Sequence, residues 1–521
     1  MSCTTVLVGK KASNDNTTMI SRTDDGHFDV KKMIVVEPKD QPKKYKSVAS
    51  HLTIELTDTP MRYTACPSVD KKNGIWAATG INAAGVGMTA TETITTNPRV
   101  LAADPYVEYK KDKTKGKKGA ADSDGQAGTG AKKTGENPEN AGGIGEEDYV
   151  VLVLPYIKSA REGVLRLASL LEKYGTYEPN GIAFNDKDEV WWLETIGGHH
   201  WIAKRVPDEV VVINPNQFGM DSFDLNDALG AGKNCLCSKD LKEFIEDNDL
   251  DLNQNGRFNP RDIFGSHTDM DHIYDTPRAW FMGRYLTPFS HKWDGSDAEF
   301  SPESDNIPWC FVPDRRIAVE DVKYMLSSHY QGTDYDPYKN HDTGKRGMYR
   351  SIGINRTGVT SICQIRSDVP KEIAGVEWIC FGSTTFGAFL PVYTNVSKLP
   401  DYLTKVTLDT STENFYWNSR LIGALADPNY SSCIQDIWRY QDAVAIKGRQ
   451  IIHEYDLKMG KKAGSSKKKM GDKNASDRTA LMEEANKKLC EMAAAETVKA
   501  LNKILYTASV NMKNGFKLAD N

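Results

Sequence analysis

The stretch that most constrains this chain is its beginning, residues 1–26, where two β-prone segments flank a short cluster of turn-forming residues. This pattern is typical of an antiparallel hairpin. Pairing across the hairpin would bring Arg22 and Asp25 back towards Cys3. The sequence therefore predicts an early hairpin that gathers a guanidinium and a carboxylate around one thiol.

Cys3 could be more than a buried thiol because of its position. If Met1 and Ser2 are removed, Cys3 carries both a thiol nucleophile and a free α-amine that can act as its general base. An α-amine pKa of about 8 is close enough to a thiol pKa of about 8.5 for that proton transfer. Taken alone, however, a cysteine near the start of a chain is more often a small buried hydrophobe.

Composition excludes several partners. The chain has 521 residues, a formal net charge of -5 and 26% charged residues, so nothing favours binding to nucleic acid or to an anionic membrane. Its nine cysteines are scattered and odd in number, which favours a reducing compartment over a disulfide framework. No signal-peptide pattern and no long apolar run is present. We expect a cytoplasmic protein without a nucleic-acid or membrane partner.

Two clusters resemble metal sites but lack the required spacing. Cys235 and Cys237 have no second ligand pair after them, and the order of His and Asp in residues 267–272 is not that of a zinc peptidase helix. A hydrogen-bonded loop explains residues 267–272 better. We therefore predict no metal and no other cofactor.

Element patterns predict a mixed fold. Short β-prone runs precede a segment at about 110–145 that is nearly empty of large apolar residues, which predicts a mobile surface insertion. A helix is predicted to begin near Asp148 and to run through Leu165 to Tyr174. The hairpin at residues 181–194 and the strands after it predict a meander, and helices dominate from about Phe415. This order predicts an α+β fold.

The opening of the chain combines Cys-Thr-Thr with Ser-Arg-Thr-Asp-Asp-Gly. Further blocks follow in order at residues 80–93, 145–150, 191–207, 215–220, 267–286 and 349–357. Together these blocks resemble the peptidase family C69 dipeptidases of the dipeptidase A group, with secernins as relatives. The resemblance implies the four-layer αββα sandwich of the N-terminal-nucleophile (Ntn) hydrolases, with a catalytic core at 1–414 and a mainly helical C-terminal portion at 415–521.

The resemblance also assigns roles around the thiol. It implies that Cys3 is the nucleophile and that Arg22 lies beside it, where a permanent cation would favour the thiolate. An aspartate in Asp24-Asp25-Gly26 is by itself typical of a turn. The resemblance instead implies that Asp25 holds the α-amine of Cys3 through a charge-assisted hydrogen bond.

Three further site residues come from the wider clan, which includes penicillin V acylases and bile salt hydrolases. Asn216 is the expected oxyanion donor, with Asn214 as the alternative register, and Arg278 matches an arginine near the nucleophile or forms an ordinary ion pair. Glu92 falls where the acylases carry another polar residue. A carboxylate there would suit a substrate with a free ammonium group.

The predicted function is a cysteine dipeptidase that hydrolyses unblocked dipeptides through a thioester, and a homo-oligomer is expected. Two alternatives stay open. One is an amide acylase of the same clan, which would cleave N-acylated substrates. The other is a secernin-like interaction protein, for which Cys3 would be chemically silent.

Overall fold

The structure of this chain is a computed structural model that describes most of its residues. The described residues are 3–26, 29–111, 141–254, 256–460 and 475–513. Outside them lie Met1 and Ser2, whose removal is predicted, and residues 112–140, which make up most of the predicted insertion.

The N-terminal hairpin forms as predicted. Strand β1 (Thr4–Val8) pairs antiparallel with strand β2 (Thr18–Asp24), and the register sets Thr5 opposite Arg22. Val6 and Val8 belong to one buried cluster and Leu7 to another, as the two-residue alternation of a strand requires. The hairpin is therefore buried on both faces, which explains its nearly continuous run of β-prone residues.

Seventeen strands and thirteen α-helices lie in the described residues. After β1 and β2, the strands are β3 Ile34–Val36, β4 Lys44–Lys46, β5 Thr53–Glu55, β6 Tyr63–Ala65, β7 Thr79–Ile81, β8 Gly87–Thr93, β9 Asn180–Asn185, β10 Val190–Thr195, β11 Trp201–Val206, β12 Val211–Asn214, β13 Cys235–Cys237, β14 Cys310–Phe311, β15 Val359–Ile365, β16 Gly375–Phe381 and β17 Leu390–Tyr393. The helices are α1 Pro98–Ala103, α2 Tyr149–Val153, α3 Ala160–Tyr174, α4 Leu225–Leu229, α5 Leu241–Asp247, α6 Pro260–Phe264, α7 Asp271–Tyr274, α8 Thr276–Leu286, α9 Val319–Leu326, α10 Asp401–Thr404, α11 Phe415–Ala426, α12 Tyr430–Lys458 and α13 Ala475–Val510.

Two antiparallel sheets hold most of these strands. The larger has seven strands in the order β14-β12-β1-β2-β15-β16-β17, and the smaller has six in the order β13-β11-β10-β9-β8-β7. Strands β2 and β15 of the larger sheet contact β7, β8 and β9 of the smaller one. Leu7 and Ile20 from one sheet and Trp192 from the other share a single buried cluster. The sheets therefore pack face to face, with the hairpin at their interface.

Helices pack on both sheets. Helices α2 and α3 contact strands of the smaller sheet. Trp191 belongs to a buried cluster that includes residues of these two helices, whereas its neighbour Trp192 belongs to the cluster between the sheets. Helices α8, α9 and α11 to α13 contact strands of the larger sheet. This mixture of antiparallel sheets and helices confirms the predicted α+β class.

The predicted meander after the hairpin at residues 181–194 is wrong. Strand β11 pairs with β10 as expected, but β12 leaves that sheet and pairs with β1, with Asn214 opposite Thr5. Apolar strands that are buried on both faces look alike in either sheet, so the local pattern gave no sign of the crossover. The crossover carries the chain from β12 directly to Asn216 beside the start of the hairpin.

The predicted continuous helix from Asp148 is also wrong. Helix α2 ends at Val153, and Leu154–Tyr156 forms a short 3₁₀ turn that contains Pro155. Ser159 then accepts a hydrogen bond from the backbone N–H of Glu162 and begins α3 as a separate helix. The predicted end of that helix at Gly175 is confirmed, since Gly175 has a φ of 68°.

The C-terminal region is helical from Phe415, as predicted. Helices α12 and α13 pack against each other, and both contact β17 at the end of the larger sheet. Although these helices have 29 and 36 residues, none of the described helices combines the length and apolar character that crossing a bilayer requires. The division of the chain into a core at 1–414 and a region at 415–521 stays a prediction.

Candidate active site

Cys3 lies directly before β1, and its side chain is fully buried. Arg22 is opposite Thr5, and Cys3 lies two residues before Thr5, so strand alternation makes Cys3 and Arg22 diagonal neighbours on one face. Nη2 of Arg22 donates a hydrogen bond of 3.1 Å to Sγ of Cys3. The register of the hairpin thus produces the predicted contact between thiol and guanidinium.

Arg22 is itself held by buried acceptors. It donates to the backbone carbonyl of Ala90 and to Oε1 of Glu146, and its Nη2 lies 3.4 Å from Oδ1 of Asp24. Asp24 also forms a 3.0 Å ion pair with Lys31. The guanidinium is therefore held against the thiol by buried acceptors from three segments of the chain, two of which are carboxylates.

Burial controls the state of the thiol. Removal from water raises the pKa of Cys3 to about 12, although the positive charge of Arg22 acts in the opposite direction. Glu92, Glu146 and Asp24 raise it further. The thiol is therefore protonated at neutral pH, and a nucleophilic thiolate requires a nearby base.

Asp25 lies close to the backbone next to Cys3 but bonds to other side chains. Its carboxylate accepts hydrogen bonds from the Thr23 hydroxyl at 2.9 Å, the Thr357 hydroxyl at 2.6 Å and the Arg350 guanidinium at 2.5 Å. The Thr23 hydroxyl also accepts the backbone N–H of Thr4 at 3.0 Å. Asp25 thus reaches the start of β1 through Thr23.

Arg278, on helix α8, is fully buried and joins separate parts of the site. Its Nη1 donates to the carbonyl oxygen of Cys3 and, at 2.7 Å, to the hydroxyl of Thr4. Its Nη2 donates at 2.7 Å to Oδ1 of Asn216 and at 3.0 Å to Asp275. One guanidinium therefore ties the backbone of Cys3 to the side chain of Asn216.

Asn216 follows β12 in a loop and has a positive φ of 55°, a conformation that asparagine adopts more readily than most residues. Its backbone N–H donates to Glu92 at 2.7 Å, and its Nδ2 donates to the carbonyl of Thr93 at 2.8 Å. Asn214 instead lies within β12, and its Nδ2 donates to the carbonyl of Gln217 at 3.1 Å. Of the two asparagines, Asn216 is the one bonded to Arg278 and Glu92.

Glu92 is buried at the same junction. Its Oε1 accepts the backbone N–H of Asn216, and its Oε2 accepts the hydroxyl of Thr5 at 2.7 Å. Burial raises the pKa of Glu92 to about 7, against the lowering effect of Arg278. Both oxygens therefore fix neighbouring parts of the protein, and the predicted contact of Glu92 with a substrate ammonium stays a prediction.

A second layer of buried groups supports the Asn216 loop. Glu194 accepts the backbone N–H of Gly219 at 2.6 Å and that of Met220 at 3.3 Å. Nη2 of Arg261 donates to the carbonyl of Gly219 at 2.6 Å. The loop that carries Asn216 is thus held by the carboxyl group of Glu194 and the guanidinium of Arg261, neither of which contacts the thiol.

Comparison with known proteins identifies the family. The model of peptidase family C69 matches residues 2–443. The chain belongs to peptidase family C69. It is therefore a peptidase.

Relatives of this family C69 peptidase match along its whole length. A protein named dipeptidase from Bifidobacterium longum is 46% identical, with 100% of both chains covered. A probable dipeptidase A from Streptococcus pyogenes serotype M18 is 47% identical over 100% of this chain and 98% of its own. Dipeptidase A from Lactobacillus helveticus is 41% identical over 96% of each chain.

In this C69 peptidase the six predicted site residues lie in one connected buried network, although their catalytic roles stay predictions. Sequence analysis missed Glu146, which pairs with Arg22, and Arg350, which pairs with Asp25 from the wall of a cavity of about 1190 Å³. Both belong to blocks that carry the family resemblance. Nothing in their local sequence indicates which partner they meet.

Proposed function

We propose that this peptidase hydrolyses unblocked dipeptides with Cys3 as its nucleophile. The names of its full-length relatives support dipeptides as substrates. The observation that carries the proposal is the 3.1 Å contact between Sγ of Cys3 and the buried guanidinium of Arg22. A guanidinium at this distance stabilises the negative charge that develops on sulfur when the thiol loses its proton.

Activation requires removal of Met1 and Ser2. The α-amine of Cys3, with a pKa of about 8 in an exposed chain, then becomes the base that takes the thiol proton. The raised pKa of the buried thiol supports this requirement, because the thiol would otherwise stay protonated at neutral pH. Asp25, which is linked to the backbone of Thr4 through Thr23, is the carboxylate that would orient the resulting α-ammonium.

The acylation step moves one proton and exchanges two bonds. Sγ of Cys3 bonds to the scissile carbonyl carbon while the carbonyl π electrons move onto the oxygen. When these electrons return, the C–N bond breaks, and the leaving amine takes the proton from the α-ammonium of Cys3. Water then attacks the thioester while the same α-amine takes its proton, the C–S bond breaks, and the thiolate takes that proton back from the α-ammonium.

Asn216 and Arg278 would support the charge that forms on the substrate oxygen. We assign the oxyanion donor to the side-chain amide of Asn216, oriented by the bond from Arg278 to its Oδ1. Arg278 would also hold the carbonyl oxygen of Cys3, so that the nucleophile and the donor keep a constant separation. Glu92 would fix the backbone of Asn216 from the other side.

We further propose that the two stacked sheets and their helices are the αββα sandwich of the Ntn hydrolases. Support comes from the packing of helices on both sheets and from the central place of the hairpin. All nine cysteines are free, which supports a reducing compartment such as the cytoplasm. A homo-oligomeric state stays a prediction.

The deciding experiment is intact-mass spectrometry of active protein, followed by labelling with iodoacetamide. We expect the active chain to begin at Cys3, and we expect labelling of Cys3 to parallel loss of alanyl-alanine hydrolysis. Active protein that retains Ser2 throughout its population would contradict the mechanism. Preference for N-acetylated over free dipeptides would favour the amide acylase alternative.

A further inference from the structure

The carboxylate of Glu146 lies near Cys3, the predicted nucleophile. Its Oε1 accepts a hydrogen bond from Nη2 of Arg22, the same nitrogen that bonds to Sγ of Cys3. Since both contacts are hydrogen bonds to one nitrogen, Oε1 lies within roughly 6 Å of Sγ. The backbone N–H of Glu146 in turn donates to Oε1 of Glu178 at 2.7 Å, so a second acidic residue adjoins Glu146.

One oxygen of Glu146 lacks a donor among the described residues. Its Oε2 is buried and has no hydrogen-bond partner among them, and the side chain as a whole is only 3% exposed. Glu92, by contrast, has a protein donor on each oxygen. A buried carboxylate oxygen without a donor is unfavourable and rare in folded proteins. The position of Oε2 therefore favours a donor supplied by a ligand.

Glu178 is the more exposed of these two acidic residues. Its side chain is half-buried, and in the described part of the chain no Lys, Arg or His nitrogen lies within ion-pair distance of it. Burial, and after it the negative charge of Glu146, raises the pKa of Glu178 to about 7. A cation that arrived between the two carboxyl groups would relieve this repulsion.

The reach of a dipeptide matches this arrangement. Its α-ammonium nitrogen lies two bonds, about 2.5 Å, from the scissile carbonyl carbon. That carbon must come within about 3 to 3.5 Å of Sγ for attack. The ammonium is therefore confined to within roughly 6 Å of Sγ, the same limit that the shared Arg22 nitrogen sets for Oε1 of Glu146. The α-ammonium carries three N–H donors that carboxylate oxygens can accept.

We propose that Oε2 of Glu146, together with the carboxyl group of Glu178, binds the α-ammonium of the substrate and so restricts the enzyme to peptides with a free N-terminus. The inference rests on the proposed function, because it takes Cys3 as the nucleophile. It names Glu146 in the role that the sequence alone suggested for Glu92. The two carboxylates differ in that Glu92 already holds Thr5 and Asn216.

The test compares alanyl-alanine with propanoyl-alanine, which has the same shape but lacks the ammonium. In Glu146→Gln we expect kcat/KM for alanyl-alanine to fall roughly 30-fold or more, mainly through KM. The slow hydrolysis of propanoyl-alanine should change by less than about threefold. Glu146→Asp should recover part of the loss, and Glu178→Gln should act in the same direction with a smaller effect.

Two matched variants control for structural effects. Glu92→Gln neutralises another carboxylate near the thiol, and Glu209→Gln neutralises an exposed one that pairs with Lys11. Both should keep the preference for alanyl-alanine over propanoyl-alanine. The rate at which iodoacetamide alkylates Cys3 reports separately on whether Arg22 still activates the thiol.

Either of two results would overturn the inference. One is an equal loss on both substrates in Glu146→Gln, which would mean that Glu146 only positions Arg22. The other is an ammonium-specific loss in Glu92→Gln. Failure of the proposed function would give a different result. In that case, enzyme fully alkylated at Cys3 would still hydrolyse alanyl-alanine.

Discussion

The two halves of the site are built in different ways. Cys3, Arg22 and Asp25 belong to one hairpin, and their relative positions follow from its register. Asn216 and Arg278 come from a loop and a helix that are distant in sequence, and buried hydrogen bonds join them to the hairpin. The hairpin half should therefore tolerate distant substitutions, whereas the loop half should depend on every buried contact behind it.

The largest effect is expected in the hairpin half. Cys3→Ala should lower kcat for alanyl-alanine by roughly 10⁴-fold or more, because no other group replaces the nucleophile. The fold should persist, as circular dichroism and thermal unfolding can check. Cys235→Ala is the matched control, since Cys235 lies on β13 at the edge of the smaller sheet and should leave activity nearly unchanged. Substantial turnover by Cys3→Ala would end the proposed mechanism.

A smaller effect is expected in the loop half. Asn216→Ala should lower kcat by roughly 10²- to 10³-fold with little change in KM, which is typical of a lost oxyanion donor. Asn214→Ala should mainly lower the free energy of unfolding, because the Asn214 side chain bonds to the backbone of the loop that follows β12. Steady-state kinetics and urea unfolding of both variants separate these outcomes. A greater loss of kcat in Asn214→Ala would transfer the oxyanion role to Asn214.

A third variant tests whether the halves are independent. Glu194→Gln weakens the acceptor of the Gly219 and Met220 N–H groups, and we expect a loss of about 1 to 3 kcal/mol in stability. Because Asn216 would shift, kcat should fall by roughly tenfold. The alkylation rate of Cys3 by iodoacetamide should change by less than about twofold, since the hairpin register is untouched. An equal fall in the alkylation rate would show that the halves are coupled.

The smallest effect is a pH dependence at the junction of the halves. Burial raises the pKa of Glu92 from 4.5 to about 7, so the folded protein holds a proton that the unfolded chain releases. Stability of the wild type should therefore decrease, relative to Glu92→Gln, by about 1 to 3 kcal/mol as pH rises from about 4.5 to 7. Urea unfolding at a series of pH values measures this difference. A flat difference across that range would place the pKa of Glu92 near its ordinary value.

Sequence analysis recovered much of the fold through local patterns. The hairpin, the strands around Asn185 to Val190 and helix α3 up to Gly175 each carry their own turn or cap residues. The wrong predictions occurred where one local pattern is compatible with two different structures. Asp148 and Leu165 both lie in apolar stretches of helical spacing, but Pro155 and Ser159 divide them into two helices.

The sequence by itself determined the hairpin that sets Arg22 beside Cys3, because strand pairing across a short connection leaves few registers. The family resemblance supplied the remaining candidate residues without their geometry. Tertiary structure alone decided that β12 crosses to the other sheet and delivers Asn216 to Arg278. It also decided that Glu146 meets Arg22. These contacts join distant segments through buried polar groups, and burial of a charge is a property of the whole packed interior that no local pattern contains.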